Sequence, residues 1–202
     1  AFVQRGRAPK VKELVMQAIE EGIAPQQILD ESLLGVMAII GEKFKKNEIF
    51  VPEVLVAARA MSAGVEILRP YLVASGVTTK GTAIIGTVKG DLHDIGKNLV
   101  KMMLEGKGLE VIDLGVDVPA ETFIEKAKEH NVKIICCSAL LTTTMVEMKN
   151  VVEQAKKEGI RDNVKIMIGG AVITEDYMEQ IGADGYAKDA AEAVKVVQRL
   201  LV

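Results

Sequence analysis

Aromatic residues, histidines and cysteines are all scarce in this sequence, and each shortage narrows the functions to consider. The chain has no Trp and only 3% aromatic residues, and its formal net charge is −3. Nucleic-acid surfaces combine a basic stripe with aromatic side chains on which bases stack. We therefore expect no nucleic-acid partner.

The two cysteines, Cys136 and Cys137, stand side by side in an apolar run. This arrangement offers neither a disulfide framework nor a CxxC pair, which is typical of a reducing compartment. No apolar run reaches the roughly 18 residues of a membrane span, and residues 1–10 lack the apolar core of a signal peptide. The sequence predicts a cytoplasmic protein with no membrane partner.

The first part of the chain is helical in pattern. Apolar residues, 49% of the 202-residue chain, recur at helical spacing from about Lys10 to Pro70. Three helices are expected, the second running from about residue 26 to 45. Pro52 suits the first position of the third helix, and Pro70 is expected to end it. Residues 1–75 are therefore predicted to form a helical bundle.

Residues 75–80 are polar and turn-rich, and the pattern changes after them. Strand-like apolar runs alternate with helical runs in five units, as in parallel sheets covered on both faces. The expected strands lie near residues 82–88, 109–113, 132–137, 164–168 and 183–187. Residues 76–202 are therefore predicted to form an α/β domain: a doubly wound, five-stranded parallel sheet with the flavodoxin-like order 2-1-3-4-5.

One of the two histidines, His93, lies in the polar loop that follows the first predicted strand. Ligands of parallel sheets bind at the carboxyl ends of the strands. In the expected topology this loop, residues 88–98, meets the polar loop 138–144 that follows the third strand. The sequence predicts a binding site where the two loops meet.

The stretch from Gly90 to Asn98 looks like a phosphate-binding P-loop only superficially. Five residues, not four, separate Gly90 from Gly96, and Asn98 stands where Ser or Thr should follow Lys97. A GxGxxG dinucleotide motif is absent. A phospho-receiver would need an Asp where the third predicted strand ends in Cys137 and Ser138. None of these phosphate chemistries is favoured.

His93 itself has two interpretations. A loop histidine between Asp91 and Asp94 is commonly a surface or capping residue. A metal-bound imidazole, however, usually donates its second ring N–H to a carboxylate, which Asp91 could provide. Zinc needs three or four protein ligands, and His130 is the only other histidine. A single histidine suits a metal whose other ligands come with a cofactor.

Three separated motifs follow the first, third and fourth predicted strands. They are Asp91-x-His93-x-x-Gly96, then Ser138-x-Leu140 after 41 residues, and Gly169-Gly170 after 28 more. Together they resemble the cobalamin-binding signature of methionine synthase and of the corrinoid proteins of anaerobic methyltransferase systems. The segments 41–44 and 50–61 resemble the helical cap that precedes the sheet domain in that family, so the resemblance covers nearly the whole chain.

The resemblance implies a Rossmann-like B12-binding domain behind a helical cap, with cobalamin bound base-off. His93 would be the lower ligand of cobalt, Asp91 would hold His93, and Thr144 would complete this ligand relay where methionine synthase has Ser. The displaced tail is expected between strands 1 and 3. The other implied cofactor contacts are Asp94, Ile95, Gly96, Ser138, Leu140, Thr142, Gly169, Gly170 and, from the cap, Phe50.

The function implied by the resemblance is that of a methyl carrier without turnover of its own. A substrate-specific methyltransferase would load the corrinoid to methylcobalamin, and a corrinoid:acceptor methyltransferase would pass the methyl group to tetrahydrofolate or a thiol. A reductive activator is a further implied partner. Two alternatives stay open: a cobalamin-sensing regulatory module, and the small subunit of an adenosylcobalamin-dependent mutase, although mutase subunits lack this cap.

Overall fold

The computed structural model describes residues 2–74 and 81–201, which divide into two compact units. One unit comprises residues 2–74 together with Met102–Gly108, and the other comprises Gly81–Lys101 together with residues 109–201. The predicted domain boundary after residue 75 would place residues 102–108 in the second domain, but these residues group with the first unit. The predicted linker, residues 75–80, lies outside the described residues.

The first unit is helical, and its helices pack closely where a glycine leaves room. Its elements are α1 (Ala8–Glu20), α2 (Pro25–Gln27), a π-helical segment (Ile28–Leu34), α3 (Gly35–Lys45) and α4 (Val51–Ala74). Helix α1 packs along α4. A β-carbon on Gly64 of α4 would lie 3.0 Å from Cγ1 of Val11 and 3.2 Å from the methyl groups of Leu33. Gly64 therefore permits this close approach.

Helix α4 passes through Pro70 and ends at Ala74, so the predicted stop at Pro70 is wrong. Proline lacks the N–H that would bond to the carbonyl of Glu66. Both residues are exposed, so that carbonyl can accept a hydrogen bond from water instead. Leu68 and Leu72, two residues to either side of Pro70, are buried and anchor the helix across the proline.

The second predicted helix is helical throughout, but its middle is not α-helical. Seven residues, Ile28–Leu34, form a π-helix that ends where the N–H of Gly35 donates to the carbonyl of Asp30, five residues earlier. A β-carbon on Gly35 would lie only 3.2 Å from that carbonyl oxygen. Glycine thus avoids a tight contact where the π-helix ends, and a helical periodicity alone does not predict this wider turn.

None of the helices in the described ranges 2–74 and 81–201 combines the length and the apolar character that crossing a lipid bilayer requires. Helix α4 has 24 residues but carries several charged side chains.

The second unit is a five-stranded parallel sheet with the order β2-β1-β3-β4-β5, which confirms the predicted fold. The strands are β1 (Thr82–Thr87), β2 (Glu110–Asp113), β3 (Ile134–Ser138), β4 (Lys165–Gly169) and β5 (Gly185–Ala187). The helices after β1 are α5 (Ile95–Glu105), whose last four residues group with the first unit, α6 (Ala120–Glu129), α7 (Met145–Lys157), α8 (Glu175–Ile181) and α9 (Ala190–Leu200).

The core of this unit holds the end of β1 in place. Ile84 and Ile135, on the two central strands, are fully buried. Phe123 of α6 is also fully buried, and a β-carbon on Gly86 would lie 2.7 Å from its Cζ atom. Burying a Phe side chain stabilises a fold by about 1.5–3 kcal/mol. This contact fixes β1 one residue before Thr87, where the polar loop begins.

Candidate functional site

The carboxyl ends of the three central strands lie in register and define one edge of the sheet. Thr87 of β1 pairs with Ser138 of β3, and Ser138 pairs with Gly169 of β4. The chain leaves β1 through a turn in which the N–H of Asp91 donates to the carbonyl of Val88 (3.1 Å). The loops after β1 and β3 therefore begin side by side, as the predicted topology requires.

Asp91 joins these two loops through its side chain, which is completely buried. Its Oδ2 accepts hydrogen bonds from the backbone N–H groups of Leu140 (2.8 Å) and Leu141 (3.3 Å), and lies 2.9 Å from the hydroxyl of Thr144. Its Oδ1 lies 2.7 Å from Nδ1 of His93 and accepts from the His93 backbone N–H at 3.0 Å. The structure thus brings together the three residues of the predicted relay.

The donors around Asp91 keep it ionised. Burial alone would raise the pKa of the Asp91 carboxyl, but the N–H groups of Leu140 and His93, the His93 ring and the Thr144 hydroxyl together hold that pKa well below its usual range. An ionised carboxylate only accepts hydrogen bonds. Nδ1 of His93 must therefore carry the proton, which leaves a lone pair on Nε2 when the ring is neutral.

Nε2 of His93 is the atom that this arrangement makes available. The His93 side chain is 51% exposed. Within residues 2–74 and 81–201, no side chain or backbone group bonds to Nε2. No group of three or more His, Cys, Asp or Glu side chains that could hold a metal ion occurs among the same residues. The donor offered at this edge of the sheet is a single imidazole nitrogen.

Thr144 occupies the N-cap position of α7 but does not cap the helix with its side chain. Its hydroxyl lies 2.9 Å from Oδ2 of Asp91 and 2.9 Å from the carbonyl of Leu141. Since a hydroxyl has one proton, it can donate to only one of these acceptors at a time. Its methyl group would lie 3.5 Å from a β-carbon placed on Gly90, an ordinary van der Waals distance. A threonine thus fits here as a hydroxyl donor.

Two residues that the sequence analysis did not select hold the backbone of the β1 loop. The hydroxyl of Thr87 donates to the carbonyl of His93 (2.8 Å). Oδ1 of Asp117, in the loop after β2, accepts from the N–H of Gly90 (2.7 Å), and its own N–H donates to the carbonyl of Asp91 (3.0 Å). Asp117 has a left-handed backbone (φ 54°), which Asp adopts more readily than most residues.

The other predicted contacts in the β1 loop lie at the start of α5. Asp94 precedes the helix, and its carboxylate and carbonyl accept bonds from the side chain and backbone of Asn98. Ile95 is 73% exposed, and Gly96 is exposed with open space where a β-carbon would be. Asp94 thus supports the first turn of α5 through Asn98, while the next two residues present an accessible surface.

Several apolar side chains in the loops at this end of the sheet and at the start of α5 are exposed. Leu92, next to His93, is 71% exposed, and the neighbouring loops add further exposed residues, namely Ile95, Val116, Leu140 and Leu141. Contiguous exposed apolar surface is typical of sites that bind a ligand or partner. Leu92, Val116 and Leu141 are not part of the sequence motifs and were not predicted. Their apolar side chains in otherwise polar loops could have indicated them.

Of the predicted contacts after β3 and β4, only some take part in the hydrogen bonds around Asp91. Leu140 does so through its backbone N–H, whereas Thr142 is exposed and makes no hydrogen bond with the described residues. Ser138 and Gly169 are half-buried at the sheet edge. A β-carbon on Gly170 (φ 144°) would lie 1.8 Å from the carbonyl oxygen of Ala139, so close contact of two backbones already requires glycine there.

Lys97, the lysine of the superficial P-loop pattern, is engaged elsewhere. Its side chain is 2% exposed, and its Nζ lies 2.6 Å from Oδ1 of Asp113, at the end of β2, and 2.8 Å from Oδ1 of Asn98. Burial would raise the pKa of Asp113, but Lys97, the N–H of Gly115 and Lys101 hold that pKa below its usual value. Lys97 therefore ties α5 to β2 and does not face a phosphate site.

Phe50, the contact expected from the cap, lies in the helical unit and is 65% exposed. Its backbone N–H donates to the carboxylate of Glu53 (3.0 Å), an arrangement that caps the start of α4. Its predicted role toward a cofactor stays a prediction.

Both units match known protein families. A family model described as a B12-binding domain matches residues 81–195, and a second model with the same description matches residues 2–69. Trimethylamine corrinoid protein 1 of Methanosarcina acetivorans is 44% identical over 192 residues, which make up 94% of this chain and 89% of that protein. The chain belongs to the family of corrinoid proteins with B12-binding domains. This confirms the family that the three motifs predict.

A second corrinoid protein and a solved structure also align over nearly the whole of this chain. Dimethylamine corrinoid protein 1 of M. acetivorans is 44% identical over 194 residues, covering 94% of this chain and 91% of that protein. Among solved structures, a chain of the methanol:cobalamin methyltransferase complex of Methanosarcina barkeri aligns with a TM-score of 0.89 at 32% identity. The alignment covers 99% of this chain and 76% of that one.

Proposed function

We propose that this chain binds a corrinoid base-off, with His93 as the lower ligand of cobalt, and carries a methyl group between two methyltransferases. The observation that carries the proposal is the state of the His93 ring. Its Nδ1 is held 2.7 Å from a buried, ionised carboxylate, and its Nε2 is accessible. A carboxylate on one ring nitrogen orients an imidazole and makes the other nitrogen a better metal ligand.

The surroundings of His93 suit a cofactor that brings its own ring of metal ligands. The protein offers one nitrogen donor, so the remaining ligands must belong to the bound group. The exposed Leu92 and Ile95 lie on either side of His93 in the sequence and could cover the apolar face of a large ring. The open space beside Gly96 leaves room for such a group at the first turn of α5.

The remaining motif residues are proposed to hold the periphery and the displaced tail of the cofactor. Ser138, Thr142, Gly169 and Gly170 lie at or just beyond the carboxyl ends of β3 and β4, where a tail leaving the ring beside β1 could run. From the helical unit, Phe50 is proposed to contact the opposite face. These positions are accessible or half-buried, which supports contact with a ligand.

When bound, cobalamin would supply a cobalt atom that accepts a methyl group from one partner and gives it to another. The residues of the chain have other tasks. Asp91 keeps the proton on Nδ1 of His93, so that Nε2 faces the metal as a neutral donor. The N–H groups of Leu140 and Leu141 and the hydroxyl of Thr144 stabilise the carboxylate charge.

The proposed partners are a substrate-specific methyltransferase, a corrinoid:acceptor methyltransferase and a reductive activator. The first is supported by the similarity to a chain solved within a methanol:cobalamin methyltransferase complex. A cytoplasmic location is also proposed, because the cysteines, Cys136 and Cys137, are buried free thiols, as in a reducing compartment.

Reconstitution with hydroxocobalamin tests this function. The apoprotein is incubated with the cofactor, freed of unbound cofactor by gel filtration and examined by visible spectroscopy. The wild type should retain cobalamin with the spectrum of a histidine-ligated, base-off form. His93→Ala should lose that spectrum and bind at least about tenfold more weakly, because loss of even an outer partner of a metal ligand costs roughly 10–100-fold.

His130→Ala is the matched control. His130 is the second of the two histidines, and it contacts Glu129 at the end of α6. Its replacement should leave the spectrum and the affinity unchanged. A His93→Ala protein with the wild-type spectrum, or a wild type that retains no cobalamin, would overturn the proposal.

A further inference from the structure

A buried hydroxyl donates a hydrogen bond to the backbone of His93, the proposed cobalt ligand. Thr87 is the last residue of β1 and is fully buried, and its Oγ1 donates to the backbone carbonyl of His93 at 2.8 Å. A buried threonine at the end of an apolar strand is usually a packing residue. The hydroxyl of Thr87, however, donates its single proton to the backbone carbonyl of His93, whose ring has the accessible Nε2.

Thr87 is itself held rigidly, so its hydroxyl is a fixed point. Its N–H donates to the carbonyl of Gly115 and its carbonyl accepts from the N–H of Val118, both at 3.0 Å. Phe123 packs against the preceding residue, Gly86, where a β-carbon would lie 2.7 Å from the ring. The sheet, the loop after β2 and the core therefore all fix the position of Thr87.

The backbone of His93 is thus gripped on both sides of its Cα atom. On the N-terminal side its N–H donates to Oδ1 of Asp91 (3.0 Å), and on the C-terminal side its carbonyl accepts from Thr87 (2.8 Å). Asp91 also holds the ring, and it binds the ring at only one atom. Rotation about the N–Cα bond of His93 moves its carbonyl group and its Cβ atom together. If the carbonyl were not held by Thr87, this rotation could change the direction of Nε2 even with the Asp91 contact intact.

We propose that Thr87 is a positioning residue for His93. The buried hydroxyl of Thr87 fixes the backbone of His93, so that Nε2 of His93 points out of the sheet edge toward the metal. This inference rests on the proposed function for the identity of the metal group. The order that Thr87 imposes on the ring exists in the apoprotein as well, and there it can be measured without any cofactor.

The first measurement uses apoprotein labelled with ¹⁵N-histidine. Nitrogen NMR distinguishes a protonated from an unprotonated ring nitrogen, and His130→Gln assigns the two histidines. The wild type should show a single His93 tautomer with the proton on Nδ1. Thr87→Val, which keeps the shape but removes the hydroxyl, should give a shifted or averaged His93 signal. Thr87→Ser, which keeps the hydroxyl, should retain the wild-type signal.

The second measurement is the fraction of bound cobalamin that is histidine-ligated. Loss of an outer partner of a metal ligand typically weakens metal binding by roughly 10–100-fold. Thr87→Val should therefore lower the ratio of ligated to unligated cobalamin by about tenfold, with Thr87→Ser near wild type. Thr82→Val is the matched control. It removes the hydroxyl at the opposite end of β1, which lies 3.4 Å from a carboxylate oxygen of Glu110, and should change neither readout.

The outcomes separate the two proposals. A Thr87→Val protein with wild-type His93 signals and wild-type ligation would overturn the positioning role. A wild type that shows the single tautomer but binds no cobalamin would overturn the proposed function and leave the positioning role standing. If Thr87→Val does not fold, Thr87→Ala replaces it, and the same signals in Thr87→Ala as in the wild type would refute the role.

Discussion

Asp91 organises the site at the level of single residues. One buried carboxylate accepts hydrogen bonds from the loop after β3, from the start of α7 and from His93. Its donors compensate for the cost of burying a charge, which would otherwise be several kcal/mol. The orientation of the imidazole therefore depends on the stability of that ionised state.

Asp91→Asn should destabilise the folded apoprotein by about 1–3 kcal/mol. The substitution keeps the size of the side chain, but its amide N–H₂ must face a donor such as the N–H of Leu140 or of His93. Urea unfolding of both proteins at pH 7 measures the difference. Equal unfolding free energies would contradict the role given to this carboxylate.

The same pair of proteins should show a specific pH dependence. The folded-state pKa of Asp91 lies below the unfolded value of about 3.9. The stability that the ionised carboxylate contributes is therefore complete above about pH 4–5 and is lost as the pH falls toward the folded pKa. The gap in unfolding free energy between wild type and Asp91→Asn should be constant from pH 7 to 5 and shrink below pH 4. A gap that is as large at pH 3 as at pH 7 would show that the charge is not its source.

The residues of the relay could be predicted from the sequence, and those that hold its backbone could not. The relay of His93, Asp91 and Thr144 is formed by side chains, and the resemblance to a known family points to their positions in the sequence. Thr87 and Asp117 act on backbone groups, and backbone groups are the same at every residue. A threonine at the end of an apolar strand indicates only strand propensity, so the structure was needed to show which carbonyl it bonds.

At the level of elements, the connection between α5 and the end of β2 helps to hold the site in place. Lys97, on the first turns of α5, is buried against Asp113. Lys101, one turn later and 29% exposed, lies 3.4 Å from the other oxygen of the same carboxylate. These two lysines offer a matched comparison between a buried and a more exposed partner.

Asp113→Asn should destabilise the protein by about 3–5 kcal/mol, because it leaves the Lys97 ammonium buried without a counter-charge. In a Lys97→Met background the same substitution should cost far less. Lys101→Met alone should change stability by no more than about 1 kcal/mol. Chemical unfolding of the single and double variants gives these values, and simple additivity of Asp113→Asn and Lys97→Met would refute the buried pair.

Helices and strands could be predicted from the sequence wherever burial requires a regular pattern of apolar residues. The inner strands read as apolar runs because helices cover both faces of the sheet, and this pattern predicted a parallel sheet. The order 2-1-3-4-5 was predicted from the right-handed crossovers of five such units. The continuation of α4 through Pro70 and the π-helical segment could not be predicted. A proline need not end a helix when the carbonyl that loses its partner can bond to water, and the sequence does not show whether it can. A short π-helical segment does not interrupt the helix, so the run of apolar residues does not reveal it.

At the level of the whole molecule, both units match families described as B12-binding domains, and relatives align over almost the entire chain. We propose above all that a nitrogen of this chain's own His93, and not the base of the cofactor, is the lower ligand of cobalt. The other proposals, including carriage of a methyl group, depend on it.

Electron paramagnetic resonance of the cobalt(II) form tests that claim most directly. A His130→Gln variant, in which His93 is the only histidine, is prepared with ¹⁴N- or ¹⁵N-histidine and reconstituted with unlabelled cobalamin. An axial ¹⁴N splits each cobalt line into three and an axial ¹⁵N into two. Lines that change from triplets to doublets with labelled protein are the predicted result; triplets that persist would mean that the cofactor's own base remains bound, and would contradict the account.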